Sequence, residues 1–533
     1  MSTTAPTGDG AKREGGILNA IERIGNALPD PATLFLIGVV CVFGFSWLAA
    51  AQGWQSVLRN AEGDVVLTAQ STSLVSAYGF RWVIENLIDI FINFRPLGLV
   101  LVAAIGIAVA EKSGLIAAML KTILIVMPRS LITPATFFAG VMSSMAVDAG
   151  YIVLPPLAAA IYKAIGRSPL VGLAAVFGGV AAGFNANLLV TGLDPLLAGL
   201  TEEAARILDP NYNVNPACNW YFMIASTFLI TLVGWAVSAW IVEPRLHGKS
   251  PEDGGPGGDG DEIDLRLTSD EKRGLVWGVI ATVVTLGGII ANVVFPWGFL
   301  YDAPGSIGTG PDQQPFATWI GAIVPLLVLL FFFPGLAYGV AVGTIKSDRD
   351  VVRMMTEYMG VLANYIVLAF FAAIFVASFA ESGLGQMMAI EGGDMLRRAG
   401  LPTWALMIGF IFVVGFINLF VGSMSAKWAM LATVFVPMLM TIGISPELTQ
   451  VAYRIGDSTT NAITPLNQYL VVVLVFMQQY VKKAGIGTLI SLMLPYSVAF
   501  FIVWTIMLVI WIILGLPIGV DAPLTWSPES LGG

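Results

Sequence analysis

The chain has 533 residues, of which 56% are hydrophobic and only 11% are charged, and its formal net charge is -9. Soluble domains carry roughly twice this fraction of charged residues, so the long apolar runs indicate an all-α polytopic membrane protein. The negative charge argues against a nucleic-acid partner. Two cysteines and one histidine, His247, support neither a disulfide framework nor a metal-dependent or triad-based enzyme, so we expect no enzymatic activity and no cofactor.

The apolar runs predict membrane-spanning or membrane-buried helices along most of the chain. An amphipathic segment at 17–27 precedes the first span, and the helices predicted at 80–94 and 383–399 are amphipathic as well. The other predicted spans and shorter apolar helices lie at 32–51, 96–110, 115–127, 170–190, 220–242, 274–295, 319–342, 361–380, 470–480 and 489–514.

Two further stretches contain a polar turn between apolar arms. The first has arms at 135–141 and 152–161 around the residues SSMAVDAGY. The second has arms at 404–420 and 430–440 around the residues VGSMSAKW. The arms of the first stretch are too short to cross about 30 Å of hydrocarbon. We therefore predict two re-entrant hairpins whose polar tips are buried in protein.

A polar, interrupted segment follows each predicted hairpin. Residues 183–195 read GFNANLLVTGLDP, and residues 451–470 read VAYRIGDSTTNAITPLNQYL. Ionisable residues are costly in lipid and usually mark a pathway, while Gly456 and Pro465 free backbone groups that need a cavity or a neighbouring helix. Both segments therefore predict broken membrane helices that line a substrate or ion site.

The two halves of the chain repeat the same order of motifs. Each hairpin turn carries Ser-Met, each hairpin is followed by Ile-Gly-X-Ser-Pro, and TGLD at 191–194 matches TPLN at 464–467. This alignment places Gly183 opposite Gly456. Paired interrupted segments are typical of secondary transporters with inverted repeats, in which the site lies at the repeat interface.

Charge asymmetry predicts the orientation in the membrane. Basic residues cluster in the linkers at 245–273 and 346–353, whereas the loop at 296–315 has no Lys or Arg. Cytoplasmic loops are enriched in basic residues, so we expect a cytoplasmic N-terminus, an external C-terminus and about nine spans besides the two hairpins.

Four motifs resemble the p-aminobenzoyl-glutamate transporter (AbgT) family. They are MAVDAGYIVLPPLAA at 145–159, GFNANLLVTGLDPLLAG at 183–199, INLFVGSMSAKWAMLA at 417–432 and YRIGDSTTNAITPLNQY at 453–469. The resemblance implies a homodimer in the bacterial inner membrane, with a scaffold domain, a transport domain and a water-filled bowl open to the cytoplasm. It also implies transport of p-aminobenzoyl-glutamate or export of sulfonamide antimetabolites, driven by a proton or sodium gradient.

The resemblance also suggests a division of the chain. The scaffold domain is expected to contain 31–130, 201–245 and 274–400, and the transport domain 131–200 and 401–483. The remaining parts are a cytoplasmic N-terminal segment at 1–30, a cytoplasmic linker at 246–273, and a final span with an external tail at 484–533.

Asp457 is the strongest candidate for coupling to an ion, because oxygen ligands suit hard cations. The residues that can add further oxygen ligands are Asn418, Asn461, Ser425 and Thr460. If the ion is Na⁺ rather than H⁺, Asn418 and Asp457 are its expected ligands. The alternative is a structural ion pair between Asp457 and Arg454, which lies three positions earlier on the same helix.

The expected substrate residues match an aromatic ring that carries carboxylates. Arg454 can bind a carboxylate in a bidentate manner, and Trp428 can stack on the ring, although ordinary packing is the alternative for Trp428. Lys427 can bind an anion or extend to the interface. Asp194 can carry a proton or cap the helix before Pro195. The other expected contributors are Pro446, which can also serve as a hinge or helix starter, and Ser144, Ser423, Asn185 and Asn187. By motif match, the positions treated as functional in the family are Asp194, Asn418, Trp428, Pro446, Arg454 and Asp457.

Other functions remain open from the residues alone. A cation-coupled dicarboxylate transporter of related hairpin architecture would share the hairpins and broken helices but would need no aromatic platform. A channel would need a continuous pore, and the paired interruptions fit alternating access better.

Overall fold

The computed structural model describes residues 29–59, 63–145, 147–256, 267–303 and 317–527. The predicted amphipathic segment at 17–27, most of the N-terminal segment, the middle of the predicted linker and the end of the tail lie outside these residues.

The first half of the chain is almost entirely helical and contains one β-hairpin, formed by β1 (Gln55–Arg59) and β2 (Val65–Gln70). Its helices are α1 (Pro31–Ala51), α2 (Ala77–Ile92), α3 (Arg95–Lys112), α4 (Leu115–Val126), α5 (Ile132–Met142), α6 (Val147–Ile152), α7 (Leu154–Ala164), α8 (Pro169–Phe177), α9 (Leu193–Ala205), α10 (Trp220–Val237) and α11 (Glu243–His247). Turns of π-helix extend α8 over Gly178–Ala182 and join α10 to α11 over Ser238–Val242.

The second half is helical as well. Its helices are α12 (Ser269–Val294), α13 (Thr318–Gly321), α14 (Ile323–Val342), α15 (Asp348–Val361), α16 (Ala363–Glu381), α17 (Leu384–Ala399), α18 (Thr403–Asn418), α19 (Met424–Met440), α20 (Pro446–Thr460), α21 (Leu470–Gln478) and α22 (Ile486–Ile513).

Within the described residues, seven helical segments are long and apolar enough to cross a membrane. They are Pro31–Ala51, Ala77–Lys112, Trp220–His247, Ser269–Val294, Ile323–Val342, Ala363–Glu381 and Ile486–Ile513. This confirms the predicted all-α polytopic membrane fold. One helix pair, Leu115–Val126 with Arg129–Met145, is bent by 119° and is either a broken span or a re-entrant loop. The exact number of spans stays a prediction.

The sharp bend in this region does not lie at the turn predicted for the first hairpin. The sharp bend lies between α4 and α5, where Pro128 stops the helix. The predicted turn instead continues as a short 3₁₀ helix at Ser143–Met145 and then as α6. The two predicted arms, now α5 and α7, both pack against α8. In the second half, α18 packs mainly on α20, and α19 packs mainly on α9 and α17. The two apolar arms of each predicted hairpin therefore pack mainly against other helices.

Both predicted broken helices are present, but the second break begins later than Gly456. The first break covers residues 183–192, between the π turn and α9. The second covers 461–469, because α20 runs unbroken through Gly456 to Thr460. Gly456 instead allows close packing on α18, since a Cβ atom there would lie 2.7 Å from the Ile411 carbonyl oxygen.

Helix α20 lies at the centre of the molecule. Every residue from Pro446 to Thr459 is buried, including the charged ones. It packs against α9, α18, α19 and α22 and against the π turn that ends α8. Apolar helices form the outer layer, so the polar residues of α20 face protein rather than lipid, as burial of charge requires.

Candidate functional site

The two helix breaks use the same local hydrogen bond where the sequence motifs match. The Thr191 hydroxyl accepts from the Leu193 N–H at 3.3 Å, and the Thr464 hydroxyl accepts from the Leu466 N–H at 3.3 Å. Each bond closes the turn that leads into the helix after the break. This shared geometry supports the alignment of TGLD with TPLN, although Gly183, at the end of the π turn, and Gly456, inside a helix, occupy different positions.

Arg454 forms its ion pair with Asp194 and not with Asp457. Its Nη2 atom lies 2.7 Å from Asp194 Oδ1, and the two side chains are 1% and 6% exposed. The contact is an ion pair without an aligned hydrogen bond, and Arg454 Nε and Nη1 are buried without a hydrogen-bond partner among the described residues. Asp194 Oδ2 accepts from the Thr191 N–H at 2.7 Å. Asp194 therefore closes the first break and also neutralises Arg454.

Asp457 pairs with Lys427 of α19. Lys427 Nζ lies 2.7 Å from Asp457 Oδ1, and the side chains are 0% and 1% exposed. Lys427 Nζ also donates to Asn418 Oδ1 and, at 3.3 Å, to the Val421 carbonyl oxygen. The expectation that Lys427 extends to the interface is wrong, because its ammonium group lies in a buried cage of oxygen atoms. The alternative of an Arg454–Asp457 pair is also wrong, because Asp457 pairs with Lys427 and Arg454 pairs with Asp194.

Asn418 connects this cage to the second break. Its Nδ2 atom lies within hydrogen-bond distance of the Asp457 carbonyl oxygen at 2.7 Å, Thr460 Oγ1 at 2.8 Å and Asn461 Oδ1 at 2.9 Å. Four of the expected ion-coupling residues are therefore in contact. The oxygens of Asn418 and Asp457 that would bind Na⁺ both face Lys427 Nζ, so a sodium ion fits there only if the ammonium group leaves.

Asn185 ties the first break to α20. Its side-chain Nδ2 lies 2.7 Å from Ser458 Oγ and 3.1 Å from Asp457 Oδ2, and its backbone N–H donates to Ser458 Oγ at 3.1 Å. Asn187, two residues further along the chain, is also buried, and its Nδ2 atom has no hydrogen-bond partner in the described part of the chain. The first break thus contacts α20 through Asn185, and the start of α9 contacts α20 through Asp194.

Trp428 is a packed tryptophan in this structure. It is 0% exposed, it stacks on Tyr453 with a centroid distance of 4.3 Å, and its Nε1 donates to Thr201 Oγ1 at 3.0 Å. Pro446 begins α20 behind Ser445, whose hydroxyl caps the helix by accepting from the Leu448 N–H at 3.1 Å. Pro446 is therefore a helix starter, as one of the two sequence readings expected.

A cavity of about 800 Å³ opens beside the two breaks. Its wall includes four of the predicted residues, Ser144, Ser423, Ser425 and Asn461. The other predicted site residues, which are Asp194, Trp428, Pro446, Arg454, Asn185, Asn187, Asn418, Asp457 and Thr460, are absent from the wall. Val421 and Asn461 line the cavity and also contact the Lys427–Asn418 cage, so the buried charges lie directly behind the wall.

Sequence reasoning missed the aromatic part of the cavity wall. The wall contains Tyr151, Phe184, Tyr358, Tyr365, Phe420 and Tyr469. Tyr151 and Tyr469 stack in parallel, with their ring centroids 4.1 Å apart. Both occur inside the motifs quoted above, but single tyrosines in membrane helices are common, and only the fold brings these two together.

Comparisons with known proteins relate this chain to one family of transporters. A family model described as the AbgT putative transporter family matches residues 16–526. The chain is 34% identical to the p-aminobenzoyl-glutamate transport protein of Escherichia coli K12, over 96% of this chain and 97% of that protein. It is similar to the solved Alcanivorax borkumensis YdaH transporter, with a TM-score of 0.85, 37% identity and coverage of 92% of this chain and 100% of that one. It also matches Neisseria gonorrhoeae MtrF, which is described among antimetabolite efflux pumps, with a TM-score of 0.85, 40% identity and coverage of 95% and 100%.

Proposed function

This chain belongs to the AbgT putative transporter family, and we propose that it moves p-aminobenzoyl-glutamate, related antimetabolites such as sulfonamides, or both, by secondary active transport. The observation that carries the proposal is the position of the cavity beside the two helix breaks, in front of two buried ion pairs that α20 makes with α9 and α19. Broken helices at a repeat interface are the usual place for substrate and coupling ions in secondary transporters.

The driving force in this proposal is a proton or sodium gradient. Asp194 and Asp457 are buried carboxylates, and each is held by a cation of the chain itself. A transported cation would bind one of these carboxylates in place of Lys427 or Arg454, because a buried carboxylate without a cation is costly. Among the described residues, no group of three or more His, Cys, Asp or Glu side chains forms a metal-binding cluster.

A dicarboxylate transporter is less well supported. Among the described residues that line the cavity, the charged ones are Asp30 and Glu111, and Lys and Arg are absent. The amide side chains of Asn461, Asn467 and Gln468 in this wall can donate to any carboxylate, including the two of p-aminobenzoyl-glutamate, so the distinction from a small dicarboxylate rests on the aromatic residues. Six aromatic side chains line the cavity, and they favour a substrate that contains an aromatic ring.

The test is uptake of radiolabelled p-aminobenzoyl-glutamate into proteoliposomes, with pH and sodium gradients imposed separately and together. The proposal expects flux in at least one gradient and none without a gradient. Displacement by succinate or citrate, but not by unlabelled p-aminobenzoyl-glutamate, would instead support the dicarboxylate alternative. Flux that needs no gradient would contradict secondary transport.

We further propose a homodimer in the bacterial inner membrane, with a cytoplasmic N-terminus, an external C-terminus, and the scaffold and transport domains outlined from the sequence. The surface of α12 supports the dimer and the lipid contact, because only 11% of its apolar window is buried within one chain. Labelling of single cysteines placed in the segments 346–353 and 296–315 with a membrane-impermeant reagent tests the orientation.

A further inference from the structure

A second cavity, of about 450 Å³, lies at the N-terminal end of α20. Its walls include the loop at 209–213, the first turn of α20 and the tail at 521–527. Backbone hydrogen bonds hold the tail there, since the Ser445 N–H donates to the Leu524 carbonyl oxygen at 3.2 Å and the Trp526 N–H donates to the Gly443 carbonyl oxygen at 3.0 Å. Glu447 lines this cavity, at the opposite end of α20 from the second helix break. We call the cavity the Glu447 pocket.

Glu447 is a buried carboxylate that has no cation as partner. It is 3% exposed, and among the described residues no Lys, Arg or His side chain forms a salt bridge with it. The buried carboxylates of Asp194, Glu202 and Asp457 are all paired. Burying an ionised carboxylate without a cation is costly, and one neutral hydrogen-bond donor does not offset that cost, whereas a bound proton removes the charge.

Tyr212 connects this carboxylate to the pocket. Its hydroxyl group lies 2.9 Å from Glu447 Oε2 and 3.2 Å from Oε1, and it donates to the carboxylate. Tyr212 lines the same pocket and is partly exposed. A hydroxyl group both accepts and donates protons, so a proton from the pocket can reach Glu447 through Tyr212 even though Glu447 itself is almost fully buried.

The groups around Glu447 oppose its negative charge more than they support it. The titratable side chains that face it from the adjoining loop and the tail carry no positive charge, and they are Tyr212, Asp209, Cys218 and Asp521. The cations of α20 and of that loop, Arg454 and Arg206, are each bound to a carboxylate of α9. The first turn of α20 favours a negative charge, so the ionised form stays accessible. Glu447 can therefore both bind and release a proton.

A row of polar contacts leads from Glu447 to the ion pair beside the first break. Glu447, Gln450 and Arg454 recur at the spacing of one helix face, and this face of α20 meets α9. Gln450 Oε1 accepts from Thr201 Oγ1 at 2.6 Å, and Arg454 pairs with Asp194 further along α9. A change of charge at Glu447 therefore occurs on the interface that holds Asp194.

The same contact joins the two domains predicted from the sequence, because Tyr212 lies in the predicted scaffold and Glu447 in the predicted transport domain. The Asn219 side chain, also in the predicted scaffold, donates to the Glu447 carbonyl oxygen at 3.1 Å. Hydrogen bonds to an ionised acceptor are roughly twice as strong as neutral ones. Protonation of Glu447 would thus weaken the bond from Tyr212 and loosen this connection.

We propose that Glu447 takes up the proton that drives transport, on the side of the membrane onto which its pocket opens. With the external tail proposed above, this is the external side. The step forms one O–H bond on Glu447, and the proton comes from a hydronium ion in the pocket, which becomes water. The inference rests on the proposed function and deepens it, since it adds a third buried carboxylate to Asp194 and Asp457 and places it away from the substrate cavity.

The first experiment measures uptake of radiolabelled p-aminobenzoyl-glutamate into proteoliposomes under a pH gradient, at a series of external pH values. Glu447→Gln cannot exchange a proton, so the pH gradient should no longer drive uptake. Glu447→Asp should retain driven uptake, with its pH profile shifted from that of the wild type. A merely structural role would lower the rate by the same factor at every pH and leave the shape of the profile unchanged. Glu391→Gln is the matched control, because Glu391 is exposed and lies outside the pocket wall.

The second experiment detects the proton without transport, by infrared difference spectroscopy of the purified full-length protein between acidic and neutral buffer. The wild type and Glu391→Gln should show the carbonyl band of a protonated carboxyl group that Glu447→Gln lacks. Tyr212→Phe should shift this band, because the carboxyl group loses the hydroxyl group 2.9 Å away.

Three results would overturn the inference. They are uptake by Glu447→Gln at the wild-type rate under a pH gradient, identical infrared bands in the wild type and Glu447→Gln, and wild-type uptake driven by sodium alone. The last result would leave the proposed function intact. Failure of the proposed function looks different, since the infrared band would still disappear in Glu447→Gln while wild-type proteoliposomes showed no flux in any gradient.

Discussion

The buried Lys427–Asp457 pair makes a quantitative prediction about stability. Lys427→Met removes the ammonium group and keeps much of the side-chain volume. At a separation of 2.7 Å, the gross attraction is about 6 kcal/mol for an effective dielectric constant of 20. Desolvation offsets much of this attraction, but removing one partner of a buried pair still costs about 3–5 kcal/mol. Scaling the unfolding entropy to 533 residues gives about 1 kcal/mol per kelvin, so the unfolding temperature should fall by about 3–5 °C.

The assay is thermal unfolding of the purified protein, followed by intrinsic fluorescence, for Lys427→Met, Asp457→Asn and the double variant. The unfolding temperature of the double variant should fall by less than the sum of the decreases in the two single variants, because neither charge is then left unpaired. Arg353→Met is the matched control. Arg353 lies 2.8 Å from Asp350, but its side chain is 60% exposed, so solvent screening should keep the change small.

Two outcomes would refute this reasoning. If Lys427→Met unfolds at the same temperature as Arg353→Met, the pair does not stabilise the fold as a buried pair should. If the losses of the single variants add fully in the double variant, Lys427 and Asp457 do not interact in solution as they do in the structure.

Three further predictions follow from other contacts. Asp194→Asn should abolish pH-gradient-driven flux in proteoliposomes, because the buried guanidinium group 2.7 Å away loses its carboxylate; wild-type flux would contradict this. Gly335→Val should destabilise the protein by about 1–3 kcal/mol in thermal unfolding, because a Cβ atom would lie 2.6 Å from the backbone of α3, whereas Gly360→Ala, with no atom within 4 Å, should not. The pKa of Asp350 lies below its ordinary value of 3.8, chiefly because the backbone N–H of Lys346 donates to it. The ionised carboxylate therefore stabilises α15 at pH values above 3.8, and this stabilisation is lost as the pH falls through the lowered pKa. The difference in unfolding temperature between wild type and Asp350→Asn should be present at about pH 7 and vanish towards about pH 2.

The fold class could be predicted because a membrane-spanning helix can be recognised from its own stretch of sequence. A run such as α22 is apolar along its whole length, and no tertiary information is needed to recognise it. The hairpin boundaries could not be predicted in this way. Whether α5 pairs with α7 or with α8 depends on which apolar surfaces meet in three dimensions, and all three helices are apolar.

The sequence predicted which residues cluster around Asp457 better than it predicted which cation pairs with Asp457. Asp457, Asn418, Asn461 and Thr460 do lie together. The cation beside Asp457 was misassigned, because spacing along one helix is visible in the sequence and contact between helices is not. Lys427 is distant from Asp457 in the sequence and only 2.7 Å away in space.

The pairing of Arg454 with Asp194 changes how substrate and ion can be linked. A substrate carboxylate that reached Arg454 would have to displace Asp194, which closes the first helix break. The displaced Asp194 would then be a buried carboxylate without its cation, which costs several kcal/mol unless a proton or metal cation replaces the guanidinium group. Substrate binding and cation binding would thus be coupled by one exchange of partners, and neither step would be favourable without the other. On this argument the Arg454–Asp194 ion pair does not merely compete with the substrate for Arg454. It would be the element through which a cation gradient drives the substrate, and Asn185, which contacts Asp457, would pass a change in the first break on to α20.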